Sequence, residues 1–204
     1  SGYFYVTGKT GGDLYGNTHA GGGDAFVVKY NSSGTRQWAR MHGSTNDDRS
    51  YGVATDSSGN VYISGTTHDQ ISGSGTRELF VVKYNSSGTK QWARELGSTG
   101  HENGKGVATD SSGNVYVTGY TDGGLDSNSN AGNDDLFLVK YNSSGTKQWT
   151  QQHGTSQVDQ ANGVAIDSSG NIYVTGLSTG ALDGTSTGNP GLFVIKYNSS
   201  GTRQ

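Results

Sequence analysis

The chain contains no cysteine and only one proline, Pro190. It therefore forms no disulfide bond and no thiolate metal site, and its composition fits a secreted and a cytosolic protein equally well. Hydrophobic residues make up only 29% of the chain, but they are concentrated in short runs. The longest of these, such as residues 136–139, have four residues and are ended by a lysine, far short of the roughly 20 apolar residues that a transmembrane helix needs. The sequence predicts a folded protein without a membrane span.

Clusters of positive charge are also missing. The chain has 14 Lys and Arg residues, 17 Asp and Glu residues and a formal net charge of −3. Eight basic residues occupy two repeat-equivalent columns and are therefore dispersed: Lys29, Lys83, Lys140, Lys196, Arg36, Lys90, Lys147 and Arg203. No run of sequence forms the basic cluster that phosphate binding needs, so we expect no nucleic-acid partner.

Glycine, in contrast, is abundant, with 35 residues, and it marks an internal repeat. The heptapeptide Lys-Tyr-Asn-Ser-Ser-Gly-Thr starts at Lys29, Lys83, Lys140 and Lys196. A second marker, Asp-Ser-Ser-Gly-Asn, keeps the same spacing and starts at Asp56, Asp110 and Asp167. A period of roughly 55 residues predicts one array of four units rather than separate domains.

We treat residues 1–204 as a single repeat region. Repeat 1 covers 1–43 and is partial, repeat 2 covers 48–97, repeat 3 covers 102–154, and repeat 4 covers 159–204 and is truncated. Both ends of the sequence fall inside a repeat unit, so we expect the array to be part of a longer protein.

Each repeat contains four short apolar or alternating runs, which we call A to D in chain order. In repeat 3 these runs cover 106–110, 114–119, 136–141 and 146–152. Runs B and C are rich in β-branched and aromatic residues, and turn residues separate A from B and C from D. Four antiparallel strands per repeat are typical of one blade of a β-propeller. We therefore predict an all-β fold of four-stranded antiparallel blades.

The repeated motifs also resemble a known family. The pattern Gly-Val-Ala-x-Asp-Ser-Ser-Gly-Asn-[Val/Ile]-Tyr, followed by Phe-[Val/Leu]-[Val/Ile]-Lys-Tyr and then Gln-Trp, is similar to the SBBP-type β-propeller repeat of bacteria and archaea. The resemblance covers the whole chain. It implies an extracellular or cell-surface repeat protein, it carries no shared catalytic residues, and it suggests more blades than the four copies present here.

Two repeated turn motifs have both a structural and a functional interpretation. The Asn-Ser-Ser-Gly turns contain the N-glycosylation pattern at Asn31, Asn85, Asn142 and Asn198, but an Asn that accepts a local N–H and a Gly at positive φ also build a hairpin. Similarly, Asp56, Asp110 and Asp167 could bind calcium or line a channel. We favour the interpretation that they cap the A–B turn.

Tryptophan recurs at one place in run D, at Trp38, Trp92 and Trp149. Because a part that every blade needs is more often structural, we predict that these rings pack between blades rather than stack on sugars. Acidic residues also recur, at Asp48, Glu102 and Asp159, four residues before the Gly of run A. We predict that they order the loop between D and A.

The B–C loops differ from copy to copy, and propellers display function on such loops. They cover 9–23, 66–77, 120–134 and 177–190. The third loop contains alternating oxygen-bearing side chains, which makes a calcium site a candidate: Asp126, Asn128, Asn130 and Asp134. Its Gly is one place late, and it lacks the Glu that an EF-hand loop requires, so we favour a flexible polar loop without metal and keep calcium as the alternative.

Three classes of function remain open on this sequence. Near-identical blades favour a non-enzymatic scaffold for protein contact, adhesion or self-assembly, including association with other copies through exposed strand edges. The alternative is a lectin-like or small-ligand binder that uses the B–C loops. An enzyme would need a unique polar cluster, and none is visible in the sequence. We therefore predict no catalytic residues and, apart from the calcium candidate, no cofactor.

Overall fold

The computed structural model describes residues 2–68, 77–182 and 190–204. The B–C loops of repeats 2 and 4 lie largely outside these residues. The described part forms the following strands: β1 (Tyr3–Thr10), β2 (Asp24–Asn31), β3 (Arg36–His42), β4 (Arg49–Thr55), β5 (Val61–Thr67), β6 (Glu78–Tyr84), β7 (Lys90–Leu96), β8 (Glu102–Thr109), β9 (Val115–Thr121), β10 (Asp135–Tyr141), β11 (Lys147–His153), β12 (Asp159–Ile166), β13 (Ile172–Ser178) and β14 (Gly191–Tyr197).

The strands form four antiparallel sheets, one for each repeat. Two sheets have four strands, β4-β5-β6-β7 and β8-β9-β10-β11, and two have three strands, β1-β2-β3 and β12-β13-β14. We number these sheets blades 1 to 4 in chain order. The all-β antiparallel prediction is confirmed. The first strand of a complete blade begins earlier than the apolar pattern indicates, because residues 102–104 contain no large apolar side chain but still pair with β9.

The first strands of successive blades lie side by side: β4 packs on β8, and β8 packs on β12. We call β4, β8 and β12 the inner strands. Their glycines permit close approach, since a Cβ on Gly52 would lie 2.9 Å from the carbonyl oxygen of Lys105. A hydrogen bond of 3.0 Å from Thr109 Oγ1 to Thr55 O also joins β8 to β4. The sheets therefore diverge from a shared inner edge, as the blades of a propeller do.

The hydrophobic core lies between blades. Leu79 and Val81 on blade 2 pack against Phe137 and Val139 on blade 3, and equivalent clusters join blade 1 to blade 2 and blade 3 to blade 4. We call the side that carries Leu79 and Val81 the front face of a blade, and the opposite side the back face. Both faces of a middle blade are buried, which explains why its central strands are apolar at consecutive positions.

Among the residues that the structure describes, no helix is long and apolar enough to cross a membrane.

Candidate functional site

A repeated set of contacts closes the outer edge of each interface between blades. On blade 2, Lys83 Nζ and Trp92 Nε1 donate to the carbonyl oxygen of Ser143 at 3.0 and 3.3 Å. Arg94 Nε donates to the carbonyl oxygen of Gly145 at 2.7 Å. Blade 1 makes the same three contacts to the C–D turn of blade 2. We call this arrangement the turn clamp, and it gives the repeated Lys and Trp columns a structural role.

The Trp ring in the clamp lies on the glycine of the neighbouring turn. A Cβ on Gly145, whose φ is +81°, would be 2.9 Å from Trp92 Cδ2. The same contact joins Trp38 to Gly88 and Trp149 to Gly201. The Trp rings therefore pack between blades as predicted, although they are only half-buried.

The C–D turn that receives the clamp is built by its asparagine. Asn142 Oδ1 accepts hydrogen bonds from the N–H groups of Ser144 and Thr146 at 3.1 and 2.8 Å. The other three copies repeat this pattern. The turn interpretation of these asparagines is therefore confirmed, whereas their glycosylation stays a prediction.

The A–B turn is held by its aspartate in the same manner. Asp110 Oδ1 accepts from the N–H groups of Ser112 and Asn114, and Oδ2 accepts from Asn114 Nδ2 and the Tyr116 hydroxyl. Burial acts to raise the pKa of Asp110, but these hydrogen bonds outweigh it and hold the pKa below its usual value. Asp56 and Asp167 make the same contacts. The aspartates therefore cap the turn.

The acidic column before each inner strand orders the D–A loop. Glu102 Oε2 accepts from the N–H of Ser98 at 3.0 Å, and Thr121 Oγ1 donates to Glu102 Oε1 at 2.8 Å. Asp48 and Asp159 accept equivalent bonds from Ser44 and Thr155. Burial raises the pKa of Glu102, and the bonds from Ser98 and Thr121 oppose that rise. These contacts confirm the predicted role of the column.

The four calcium-candidate residues are engaged in separate protein contacts. Asp126 accepts from Lys147 and Thr150, and Asn128 Nδ2 donates to Leu125 O. Asn130 Oδ1 accepts from the N–H of Gly132, and Asp134 Oδ2 accepts from Gln160 Nε2. Within the described ranges, no three acidic or histidine side chains come together as metal ligands. The interpretation as a polar loop without metal, with calcium as the alternative, stays a prediction.

The two outermost blades each expose an apolar face. On the front face of blade 4, Leu192 is 95% exposed and Val194 is 70% exposed, whereas Leu136 and Leu138 at the equivalent places are fully buried. On the back face of blade 1, Phe4 and Val6 are 47% and 44% exposed, whereas the equivalent Val61 and Ile63 are fully buried. These surfaces are the two halves of the front-to-back interface that repeats inside the chain.

The sequence-based reasoning missed a set of residues on the inner strands. Each inner strand contains a β-bulge, and the extra residue in it is Tyr51, Lys105 or Asn162. These residues differ between copies, although the glycine that follows each of them is always present. The Gly-Val-Ala that follows is constant, so a variable residue directly before a constant segment is the signal that could have found them, since a bulge often redirects a side chain toward a functional site.

Comparisons with known proteins agree with this architecture. Residues 37–71, 91–126 and 148–182 match the SBBP family model, described as a beta-propeller repeat. Together these stretches cover more than half of the chain.

Two curated relatives align with long parts of the chain. One is the regulatory protein FlaEY of Caulobacter vibrioides, 31% identical over 54% of this chain and 12% of that protein. The other is the uncharacterized WD repeat-containing protein L264 of Acanthamoeba polyphaga mimivirus, 32% identical over 80% of this chain and 16% of that protein. The chain thus spans less than a fifth of the length of either relative.

A solved structure shares the fold. It is a protein of unknown function from Bacteroides caccae, with a TM-score of 0.51 and 12% sequence identity, and the match covers 88% of this chain and 52% of that one.

Proposed function

Because the chain belongs to the SBBP β-propeller repeat family, we propose that it is a non-enzymatic scaffold for protein–protein contact that assembles with further copies of itself through its exposed blade faces. The single observation that carries this proposal is the exposure of Leu192 and Val194 on a face that is buried in blades 2 and 3. An extracellular or cell-surface location, and a role in adhesion, are part of the proposal and rest on the family resemblance.

The occupant of each exposed face is argued from the interfaces already present in the chain. Front-to-back packing joins blade 1 to 2, 2 to 3 and 3 to 4 with the same residue types. The front face of blade 4 therefore complements the back face of blade 1 in a second copy. Each leucine that becomes fully buried contributes roughly 1.5–3 kcal/mol, which favours association through this pair of faces.

Part of the turn clamp is also available at these faces. Lys29, Lys83 and Lys140 each donate to a serine carbonyl oxygen in the C–D turn of the next blade. Lys196 holds the equivalent place on blade 4, and Ser32 holds the receiving place on blade 1. We expect Lys196 Nζ of one copy to donate to Ser32 O of the next, which would fix the register of the contact.

The experiment is the mass of the chain in solution, measured by light scattering after size exclusion over a range of concentrations. The wild type should associate increasingly with concentration, and Leu192→Glu should remain monomeric because it places a charge in the apolar contact. Thr89→Glu, an exposed position in a C–D turn, is the matched control and should behave as wild type. A wild type that is monomeric throughout, or a Leu192→Glu variant that associates equally well, would refute the proposal.

A second candidate function is the binding of a sugar-like ligand beside the first B–C loop. The observation that favours it is a groove of about 610 Å³ lined by Tyr3, Tyr15 and Trp38 together with basic side chains. Tyr15 is 54% exposed, and the Arg36 guanidinium lies 3.9 Å from the centre of its ring. Exposed aromatic rings beside polar donors suit a ligand that has both apolar and hydroxyl surfaces.

A further inference from the structure

A cavity of about 240 Å³ lies where the inner strands of blades 2 and 3 meet. Seven residues line it: Asp47, Arg49 and Tyr51 just before and within β4, Thr66 and His68 at the end of β5 and just after it, Arg77 just before β6, and Asn103 of β8. We call this cavity the inner cleft. Its volume is below the range of roughly 300–1,000 Å³ that is typical of pockets for drug-sized molecules. It therefore suits a compact ligand.

One buried polar side chain in the cleft lacks a partner, and a second lies beside it in the lining. Thr66 is 3% exposed and lines the cleft, and its hydroxyl has no hydrogen-bond partner among the described residues. Asn103 is 5% exposed and lines the same cavity. Because a buried hydroxyl without a partner carries a desolvation penalty, the Thr66 hydroxyl is a ready donor for a group that enters the cleft.

The charges around the cleft are mainly positive. Asp47 is shared between two cations, since it forms salt bridges with Lys9 and with Arg49, whose Nη2 lies 2.9 Å from Asp47 Oδ2. Arg77 and Lys105 form no salt bridge within the part of the chain that the structure describes.

The β-bulge of β8 brings Lys105 to this cluster. Its Nζ lies 3.8 Å from the centre of the Tyr51 ring and 5.5 Å from that of Tyr120. Burial, followed by the charges of Arg77 and Arg49, lowers the pKa of Lys105. Burial raises the pKa of Tyr120, and the carboxylate of Asp134, which accepts a hydrogen bond from Gln160, adds to that rise. The lining of the cleft thus carries two guanidinium groups, Arg49 and Arg77, and one carboxylate, Asp47, and Lys105 lies beside the lining residue Tyr51.

We propose that the inner cleft is a binding site for a small dianionic oxyanion, such as an organic dicarboxylate or a phosphate group. Arg77 and Lys105 supply the uncompensated positive charge, and guanidinium and ammonium groups bind carboxylate and phosphate oxygens in this manner. Thr66 and Asn103 add hydrogen-bond donors from the buried end of the cavity. The site does not involve the exposed blade faces, so ligand binding in the cleft does not depend on the self-assembly proposed above.

The test is isothermal titration calorimetry of the full chain at low salt, with succinate and inorganic phosphate as separate probes. At least one probe should bind saturably, and Arg77→Gln and Lys105→Met should each weaken binding about tenfold or more, since a hydrogen bond to a charged group is worth roughly 1.5–3 kcal/mol. Lys105→Met keeps the aliphatic packing on Tyr51 and removes only the charge. Succinate binding alone would assign the site to carboxylates, and phosphate binding alone to phosphate groups.

Two further variants make the test specific. Thr66→Val removes the hydroxyl at nearly constant volume and should also weaken binding. Lys90→Met removes a cation from an exposed position on the outer strand β7 and should leave binding unchanged. The proposal is overturned if neither probe binds, if Arg77→Gln and Lys105→Met bind as the wild type does, or if Lys90→Met weakens binding to the same extent as they do.

Discussion

The turn clamp makes a quantitative prediction about one pair of glycines. Gly34 and Gly145 occupy the same place in the C–D turn and have nearly the same φ, +79° and +81°. A Cβ on Gly145 would lie 2.9 Å from the Trp92 ring, whereas a Cβ on Gly34 would meet nothing within 4 Å among the described residues. Replacement of each glycine by alanine therefore separates the cost of the left-handed backbone from the cost of displacing the tryptophan.

The expected magnitudes follow from these two terms. Gly34→Ala should destabilise the protein by about 1 kcal/mol, because the left-handed conformation costs roughly 1–2 kcal/mol and the stiffer unfolded chain returns part of that. Gly145→Ala should cost about 2–4 kcal/mol, since overpacking against a ring adds roughly 1–3 kcal/mol. Trp92→Ala alone should cost about 2–3 kcal/mol from the lost burial of a half-buried ring and one hydrogen bond.

The assay is urea unfolding monitored by circular dichroism. The free energy of unfolding is compared between variants for which the slope of that free energy against urea concentration is unchanged. In a Trp92→Ala background, Gly145→Ala should cost only about 1 kcal/mol, as Gly34→Ala does, because no ring remains to be displaced. The clamp would be refuted if Gly34→Ala and Gly145→Ala lowered the free energy of unfolding equally in the wild type. It would also be refuted if the effect of Gly145→Ala were the same with and without the Trp92 ring.

Two further predictions concern acid and calcium. The folded-state pKa of Asp110 is lowered, so Asp110 contributes stability above its unfolded pKa of about 3.9, and this stability is lost as the pH falls through the folded value. Between about pH 5 and pH 3, the melting temperature of Asp110→Asn should therefore fall less than that of the wild type. If the melting temperature of Asp110→Asn falls as steeply as that of the wild type, the hydrogen bonds assigned to Asp110 are contradicted. The oxygens of Asp126 and Asp134 already accept protein hydrogen bonds, so calcium should leave the melting temperature unchanged, and a rise that Asp126→Asn abolishes would establish a metal site.

The structure also explains why the charge pattern along the sequence did not predict the cluster of cations at the inner cleft. The repeated cations are dispersed as predicted, because Lys29, Lys83 and Lys140 each reach the C–D turn of a different blade. The cations outside the repeat do gather: Arg49 comes from an inner strand, Arg77 from the end of a B–C loop and Lys105 from the bulge of the next blade. No run of sequence contains this cluster, since its members come together only when two blades pack.

The features that depend on nearby residues could be predicted from the sequence. The period, the two hairpins of each repeat and the Asn and Asp turns follow from side-chain alternation and from hydrogen bonds between residues two to four apart. Three features could not be predicted in this way: the exposed faces of the outer blades, the bulges of the inner strands at Tyr51 and Lys105, and the cleft that Arg77 and Tyr51 line. These features depend on contacts between blades, where the backbones of distant residues approach each other and no local pattern sets the geometry.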